Sequence, residues 1–539
     1  MFRENTGHNQ VSMIESTYWM NPRIREKLQK SWAPIYYEHV FCKIDEKPFA
    51  VLYSDVGRPN FPVNIAISLE FIKHFLNLSD DELIDNFYFN YLVNYAVGIR
   101  VLGELNLAER TMYEFRDRIY RHTLEHPTQE DLIFGQFIEL VSTFAETAGI
   151  SMGEQRMDST MFMSNIKKAG RLSLAFDVLI KTTKAIPDAD QTDNLKTVLN
   201  PEFRTEMLFK TKASETESKL TIVLNLCKEA QEILKSLNAK RSEEALRIVT
   251  RFLSEQAELD SEINRLVARN SKDVPSNSLQ SAYDEDATYR NKNGKGQSGF
   301  VANLAETCNK ENPFQLITDY TIDQNIKSDV EFIKERLPQI KENTGCEKLY
   351  TDGGYYSEKI SDNNSGIKVN FTDMTGREPS SKIPVTDFDI CSETHVINKC
   401  SKGFKPTHAN YTKEQSVAHF PLDACNNCEL REKCYAKKQK KSYVVRISKK
   451  SLEAAIQRIK INVNRRQNVS MRAGIEGTNS ALKRGHGMDK LYVRGKVKCT
   501  VVAGLKITAQ NIRRFVKHMQ QAFKKLKPDI NGITMPSPA

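Results

Sequence analysis

The chain has 539 residues, of which 40% are hydrophobic and 27% are charged, and its formal net charge is +10. This length holds about two to four domains with at least one large core, and the composition is typical of a soluble globular protein. No stretch of about eighteen apolar residues occurs, which excludes a membrane span, and residues 1–13 predict no secretory signal. We therefore expect a cytoplasmic protein in a reducing compartment.

The first part of the chain is predicted to be helical. Over residues 60–120, apolar residues recur at spacings of three and four, and Ser79 followed by Glu82 resembles a capping box. The segment "ERTMYEFRDRIYRHTLEH" predicts a further amphipathic, basic helix. Small helical domains of this kind often bind DNA, although a role in packing fits the pattern equally well.

Residues 187–275 are polar and also predict helices. One apolar stripe runs from Leu220 to Cys227 and another from Ala245 to Leu253. These stripes predict an antiparallel helical insertion without visible chemistry.

Strand-like runs follow the insertion, in the segments "GFVANLAET", "FQLITDYTI", "KLYTD" and "GIKVNFTDM". The segment "IKSDVEFIKERLPQIKENTG", between the second and third runs, predicts a helix that ends at Gly345. Strands with an interposed helix indicate an α/β unit with a partly parallel sheet.

Two aspartates lie at positions suited to a site. Asp352 directly follows a short apolar run and precedes two glycines, which places it at the carboxyl end of a strand, where α/β proteins bind ligands. An Asx turn explains the same pattern. Asp158 lies within a strand-like stretch, where an inward carboxylate is costly unless it is paired or metal-bound. Capping of a following helix is the alternative for Asp158.

The ten cysteines form two sets. Five are dispersed and are predicted to be small buried hydrophobic residues: Cys42, Cys227, Cys308, Cys346 and Cys499. The others lie between residues 391 and 434, and four of them could form a tetrahedral Zn²⁺ site: Cys400, Cys425, Cys428 and Cys434. Cys391, His408 or His419 could replace one ligand, an iron–sulfur cluster is a less favoured option, and reduced thiols packed in a small lobe are the alternative.

Positive charge is concentrated near the end of the chain. Residues 431–466 hold thirteen Lys and Arg against two acids, and residues 471–527 hold fourteen against two. A single sign over this length favours a polyanionic partner, DNA or RNA. Glu476 is one of the two acids in the second segment, so it is either a salt-bridge acceptor or a metal ligand beside a polyanion.

Asp158, Asp352 and Glu476 together suggest a metal site. Two Mg²⁺ ions roughly 3.5–4 Å apart can activate one oxygen and stabilise the leaving oxygen in phosphodiester displacement. Mg²⁺ prefers carboxylate oxygens and retains waters, so two or three carboxylates suffice. Four other acids are predicted to be turn or cap residues, the first two in a loop before a strand and the last two at strand ends: Asp284, Asp286, Asp319 and Asp373.

Several blocks in chain order resemble the DDE transposases of bacterial insertion sequences, specifically the group numbered eleven-eighty-two within the broader group numbered four. A helical N-terminal segment is followed by the blocks "DSTMFMSNI", "SAYDEDATYRNKNGKGQSGFVANLAET", "NPFQLITDYTIDQNIKSD", "LYTDGGYYS" and "RAGIEGTNSALKRGHGMDKLYVRGKVK". The resemblance covers nearly the whole chain.

This resemblance implies an RNase H-like catalytic core whose acid triad is Asp158, Asp352 and Glu476, with two Mg²⁺ or Mn²⁺ ions. The wider group's signature is Tyr, two residues, Arg, three residues, Glu, six residues, Lys. Arg472, Glu476 and Lys483 keep that spacing and share one helix face, whereas Val469 replaces the Tyr. The family also carries a similar cysteine cluster between its second Asp and its Glu. The expected DNA-binding residues are Arg472, Lys483, Arg484, Lys490, Arg494, Lys496 and Lys498.

The expected fold is therefore α/β, with an RNase H-like core of mixed sheet, a helical N-terminal domain, a helical insertion and a small Cys-rich insertion. The predicted divisions are a helical DNA-binding-type domain at 1–145, the two parts of the core at 146–186 and 281–385, the helical insertion at 187–280, the Cys-rich insertion at 386–445 and the C-terminal catalytic helices at 446–530.

The resemblance implies a transposase that binds the terminal inverted repeats of its insertion sequence and catalyses Mg²⁺-dependent strand cleavage and strand transfer. We expect double-stranded DNA, both transposon ends and target, as partner, a homodimer or higher oligomer on DNA, and a bacterial cytoplasmic protein that associates with the nucleoid when bound. A catalytically idle DNA-binding protein derived from a transposase and a metal-dependent nuclease without strand transfer are the alternatives.

Overall fold

The computed structural model describes residues 1–10, 14–129, 131–237, 242–261, 265–292, 294–361, 365–374 and 381–525. The chain forms two compact units. Unit 1 consists of Met1–Cys346 together with Ile475–Ala539, and unit 2 consists of Glu347–Gly474.

The described residues contain helices and strands of very different lengths. The helices are α1 (Pro22–Gln29), α2 (Trp32–His39), α3 (Val63–Leu76), α4 (Asp80–Phe89), α5 (Tyr91–Ala96), α6 (Glu109–Glu125), α7 (Leu132–Ala148), α8 (Arg171–Ala185), α9 (Asp193–Val198), α10 (Pro201–Arg204), α11 (Thr216–Leu237), α12 (Glu243–Gln256), α13 (Asp329–Thr344), α14 (Glu358–Ser361), α15 (Leu422–Asn426), α16 (Lys449–Gly485) and α17 (Lys496–Lys525). The strands are β1 (Glu154–Phe162), β2 (Ala257–Asp260), β3 (Arg265–Ala268), β4 (Thr288–Lys292), β5 (Lys295–Thr307), β6 (Ile317–Gln324), β7 (Lys348–Thr351), β8 (Lys368–Phe371), β9 (Asp389–Ile390), β10 (Ile397–Lys399), β11 (His408–Thr412), β12 (Gln415–Phe420), β13 (Lys437–Lys438) and β14 (Tyr443–Ser448).

The N-terminal helices of unit 1 confirm the helical prediction for residues 60–120. Ser79 and Glu82 form the predicted capping box at the start of α4. Helix α3 is buried on nearly all sides, and its buried residues include the charged Glu70 and Lys73 as well as apolar side chains. Helix α17 packs against α3 and α7, where the rings of Phe144 and Phe515 stack with centroids 4.3 Å apart. The last long helix therefore completes the N-terminal core.

Strand β5 is the centre of the strand pairing in unit 1. Strand β1 lies antiparallel to it, with Asp158 opposite Leu304, and β4 and β6 are also antiparallel to it. Helix α13 ends at Gly345, which adopts the left-handed conformation at φ 65°, as predicted. The prediction for Asp319 is wrong, because this acid lies within β6, almost fully buried and paired with Arg336, rather than at a strand end.

A second core lies among α8, α11 and α12. Both predicted stripes, at 220–227 and 245–253, are buried there and are confirmed. Two features differ from the prediction of helices alone. Helix α8, which precedes residue 187, packs into this core, and β2 and β3 form an antiparallel hairpin after α12. The hairpin strands have four residues each, and they were not predicted because so short a segment carries little periodicity.

Unit 2 has its own core. Strands β7 and β8 pair in parallel, so the predicted mixture of parallel and antiparallel pairing is present. A separate antiparallel sheet has the order β11-β12-β14-β13, and β9 pairs with β10. The apolar residues of these strands pack together with the half-buried Cys400, Cys425 and Cys434.

Of the five dispersed cysteines, four are buried as predicted, but Cys42 is exposed. It follows the buried Phe41 in a short 3-10 helix, where successive side chains point in different directions. Within the described ranges, every helix is too short or too polar to cross a membrane.

Candidate active site

Asp158 lies in the middle of β1 with only 8% of its surface exposed. The next helix, α8, begins at Arg171, so Asp158 does not cap a helix. A carboxylate at such a position needs compensation, because burial of a charge in an apolar environment is costly. One partner that the fold provides comes from a distant part of the chain.

That partner is Asn479 on helix α16. Its amide nitrogen donates to Oδ2 of Asp158 at 3.3 Å. Glu476 is exposed on the same helix, three residues before Asn479. Side chains three residues apart in a helix are neighbours on one face. Within unit 1, the fold thus brings the turn that carries Glu476 to Asp158.

Asn479 also offers an oxygen. Its Oδ1 is buried and has no hydrogen-bond partner among the described residues. The hydrogen bond to Asp158 supports this orientation of the Asn479 amide, because the opposite orientation would place an oxygen against the Asp158 carboxylate. A buried amide oxygen beside a carboxylate suits Mg²⁺, which binds hard oxygen ligands. Sequence reasoning missed Asn479, although its position one turn beyond Glu476 was a usable signal.

A buried glutamate holds the same helix against the sheet. Glu306 of β5 is fully buried and accepts from Thr478 Oγ1 at 2.5 Å and from Arg514 at 2.7 Å. Arg514 also donates to Thr478 Oγ1 at 2.6 Å, and Arg156 of β1 pairs with Glu306 at 2.8 Å. We name Arg156, Glu306, Thr478 and Arg514 the Glu306 clasp. It joins β1, β5, α16 and α17, and its members include residues two positions from Asp158 and from Glu476 in sequence.

Asp352 lies in unit 2, directly after β7. It caps a short 3-10 helix, Gly353–Tyr355, and its Oδ1 accepts from the Gly354 amide at 2.9 Å. The turn is tight, since a Cβ on Gly353 would lie 2.9 Å from the carbonyl carbon of Asp373. Arg472 of α16 places Nη2 3.9 Å from Oδ2 of Asp352. The sequence-predicted Asp and Arg therefore meet within this unit.

No three side chains from His, Cys, Asp and Glu are grouped so as to hold a metal ion among the residues that the structure describes. Convergence of Asp158, Asp352 and Glu476 on shared metal ions accordingly stays a prediction. Among the other acids, Asp284 is buried and accepts from Ser164 at 2.5 Å, and Asp286 accepts from the Lys496 amide at 2.8 Å. Asp373 follows β8, as expected of a residue at a strand end.

The predicted DNA-binding residues differ in their surroundings. Arg484, Lys490 and Lys498 are exposed. Lys483 lies 3.5 Å from the exposed Asp489. These cations are accessible to a polyanion.

Two other predicted DNA-binding residues already have strong contacts. Lys496 donates to Asp323 at 2.6 Å, and this pairing, together with Lys327, lowers the pKa of Asp323 despite its burial. Arg494 donates to the Asn165 carbonyl at 2.8 Å. Both contacts stabilise the fold, so a phosphate would compete with an existing partner at Lys496.

Four cysteine thiols of unit 2 influence one another electrostatically. Burial chiefly, and then the neighbouring Cys434, Cys400 and Cys428, raise the pKa of Cys425 to about 11, because thiolates repel one another. Cys391 differs, because hydrogen bonds from Thr394 and Glu393 lower the pKa of its thiol. These charges act among the four thiols that the spacing selected, but no three of the thiols are placed to hold a metal ion among the described residues, so the Zn²⁺ site stays a prediction.

The predicted histidine substitutes lie on a hairpin. His408 and His419 are cross-strand partners in β11 and β12, with ring centroids 6.1 Å apart. His419 Nδ1 lies 3.0 Å from Ser442 Oγ. That contact occupies one of the two nitrogens through which His419 could bind a metal.

Two parts of the chain match models of transposase families. Residues 35–118 match a family described as Transposase domain (DUF772), and residues 384–516 match one described as Transposase DDE domain. No curated protein and no solved structure gives a significant match. The second match includes the cysteine segment and Glu476. Both segments are therefore similar to parts of transposases, and the second is similar to the part that those families describe as the DDE domain.

Proposed function

From the two transposase matches, we propose that the chain is the transposase of a bacterial insertion sequence of group eleven-eighty-two within group four. It binds the terminal inverted repeats and catalyses Mg²⁺-dependent strand cleavage and strand transfer. The observation that carries the proposal is the hydrogen bond between Asn479 and Asp158, because it brings a buried strand carboxylate to the turn of Glu476.

The metal ligands are Asp158, Asp352 and Glu476. Bound Mg²⁺ or Mn²⁺ supplies an activated oxygen nucleophile and charge stabilisation at the leaving oxygen. The buried Oδ1 of Asn479 supports this assignment, since it adds a hard oxygen beside Asp158. The Glu306 clasp positions the Glu476 turn through Thr478 without touching the substrate.

The reaction consists of two successive displacements at phosphorus. In cleavage, a water oxygen bonds to phosphorus at the transposon end, the bond from phosphorus to the 3′ oxygen breaks, and a 3′ hydroxyl is released. In strand transfer, that hydroxyl attacks a target phosphodiester and displaces another 3′ oxygen. Arg472, close to Asp352, and Lys483 orient the reacting phosphate, which is the contribution expected of cations beside such a site.

The remaining cations bind the DNA backbone. Arg484, Lys490 and Lys498 are exposed and support this role, with Arg494 and Lys496 in the same segment. The active form on DNA is a homodimer or higher oligomer, and the protein is cytoplasmic, associating with the bacterial nucleoid when bound. The cysteine group of unit 2 binds a structural Zn²⁺ ion.

The test is a strand-transfer assay with linear DNA that carries candidate terminal repeats. Asp158→Asn, Asp352→Asn and Glu476→Gln keep side-chain size and should abolish both nicked and joined products while duplex binding persists. Asp489→Asn is the matched control, because Asp489 is the other acid of the basic segment and lies beside Lys483.

The outcomes separate three functions. Joined products that depend on the three carboxylates support the transposase. Nicks without joined products would indicate a metal-dependent nuclease, and binding without either product would indicate a catalytically idle DNA-binding protein.

A further inference from the structure

A cavity of about 430 Å³ opens beside the end of helix α16 in unit 1. It is lined by the end of α3, the start of α4, the loop after α16 and one residue of α17. Arg484, Asn77 and Gly487 are exposed at it, whereas Lys73, His74 and Lys506 form its buried part. The cavity involves none of the three predicted metal ligands.

Two lysines flank one aromatic ring in this cavity. The Nζ atoms of Lys73 and Lys506 lie 4.9 and 6.0 Å from the centroid of the Tyr492 ring. Lys506 is 8% exposed, and its burial, together with the charge of Lys73, lowers its pKa to about 8. The charge of Lys73 disfavours the charged form of Lys506, so an anion that meets both ammonium groups would relieve their repulsion.

The acids nearby do not neutralise this charge. Asp80 pairs with Lys73 at 2.7 Å, but it also pairs with Arg116 at 2.5 Å. Arg116 has a second partner in the buried Glu70. Lys506 Nζ donates to a neutral group, the His486 carbonyl. With Arg484 at the rim, the cavity keeps an excess of positive charge.

A buried histidine in the wall of the cavity has a polar atom without a hydrogen-bond partner among the described residues. His74 is 4% exposed, and its Nε2 has no hydrogen-bond partner among the described residues. Burial and the charges of Lys506 and Lys73 lower the pKa of His74 well below its ordinary value, so the ring is neutral at pH 7. A neutral imidazole can present an N–H at Nε2 to an anion oxygen.

We propose that this cavity binds a backbone phosphate of the bound DNA through Lys73, Lys506 and His74, with Arg484 at its rim. This inference rests on the proposed function for its ligand, but it concerns a site outside the predicted metal centre. The chemistry matches, since phosphate oxygens accept hydrogen bonds and each cation that meets a phosphate adds salt-sensitive affinity. The cavity anchors the duplex beyond the C-terminal end of the Glu476 helix.

The experiment measures equilibrium binding of a duplex of random sequence at several salt concentrations. Lys506→Met and Lys73→Met should each make the slope of log K against log salt shallower by about 0.9, the value for one neutralised phosphate. Lys181→Met is the matched control, because Lys181 is also largely buried and paired with an acid, but lies outside the cavity. Its slope should equal that of the unsubstituted protein.

Thermal unfolding completes the test. Because the two lysines are buried, each variant is first compared with the unsubstituted protein for cooperative unfolding. A slope measured with one folded variant is enough for the test. Inorganic phosphate is then added as a probe. A shallower slope together with loss of phosphate-induced stabilisation supports the proposal.

Other results overturn it. An unchanged slope with loss of phosphate-induced stabilisation would assign the cavity to free phosphate, and an unchanged slope without any phosphate effect would leave no anion site. Absence of duplex binding by the unsubstituted protein would overturn the proposed function as well. Binding with a normal slope in both variants would overturn this inference alone.

Discussion

At the scale of single residues, Asn479 has the most direct relation to the proposed chemistry. It donates its amide nitrogen to Asp158 and keeps a buried oxygen without a hydrogen-bond partner among the described residues. An isolated buried amide oxygen is costly, because buried polar atoms are nearly always hydrogen-bonded. A bound cation would remove that cost.

Asn479→Ala should therefore raise the Mg²⁺ concentration needed for half-maximal cleavage by about 10- to 100-fold, as for other residues that orient a metal ligand. Duplex affinity should not change, because Asn479 carries no charge. Cleavage is measured over a series of Mg²⁺ concentrations, with Ser480→Ala as the control on the same helix. An unchanged Mg²⁺ dependence would mean that Asn479 only supports packing.

At the scale of elements, the Glu306 clasp explains how α16 is positioned. Glu306 has no exposed surface and accepts from two arginines and a threonine. Such a buried network stabilises a defined arrangement only while every member is present, since removal of one partner leaves a charge uncompensated. The position of the Glu476 turn thus depends on residues that take no part in the reaction.

Thr478→Val should lower the free energy of unfolding by about 1.5–3 kcal/mol, the range for a hydrogen bond to a charged group. Cleavage should fall at saturating DNA, because the Glu476 turn is less well positioned. Thr478→Ser keeps the hydroxyl and should restore both properties. Chemical denaturation and single-turnover cleavage measure the two effects, and reduced stability with normal cleavage would contradict the positioning role.

The cysteine group of unit 2 is a second part of the fold with a testable role. The purified protein should contain one Zn²⁺ per chain, because the spacing of Cys400, Cys425, Cys428 and Cys434 predicts a site of four thiolates, which are ligands of structural Zn²⁺. Cys428→Ser should lose the metal and lower the unfolding temperature of the protein, and a chelator should do the same. Cys391→Ser is the control, and it should retain the metal. Metal analysis that finds neither zinc nor iron would favour packed, reduced thiols.

At the scale of the whole molecule, the positively charged residues have two expected roles, orientation of the reacting phosphate and binding of the DNA backbone. Arg472 lies beside Asp352, whereas Lys490 and Lys498 are exposed and lie further along the chain than the predicted ligands. Cations near the reacting phosphate chiefly orient it, and cations that meet other phosphates chiefly provide affinity. Substitution of Arg472 should therefore chiefly reduce cleavage, whereas substitution of Lys490 or Lys498 should chiefly reduce binding.

Arg472→Ala should reduce cleavage at saturating protein more than it reduces affinity. Lys490→Ala and Lys498→Ala should weaken binding about equally for all DNA sequences, and each should make the salt slope shallower by about 0.9. Lys496→Ala should change the slope less, because Asp323 already holds that ammonium group. If Arg472→Ala cleaves like the unsubstituted protein once bound, Arg472 is not part of the active site.

The sequence by itself determined most local features. The Ser79 capping box, the end of α13 at Gly345 and the two buried stripes of the insertion were all predicted and are confirmed. Each depends on residues within a few turns of one another, so periodicity and end signals suffice.

Only the tertiary structure decided which distant groups meet. Asn479 reaches Asp158 across 321 residues, and Glu306 receives Thr478 from 172 residues away. Asp319 was expected at a strand end, yet Arg336 holds it within β6, because a buried carboxylate is tolerated where an arginine faces it. Such pairings leave no local pattern in the sequence. They arise when strands and helices pack, since burial then requires each polar group to find a partner.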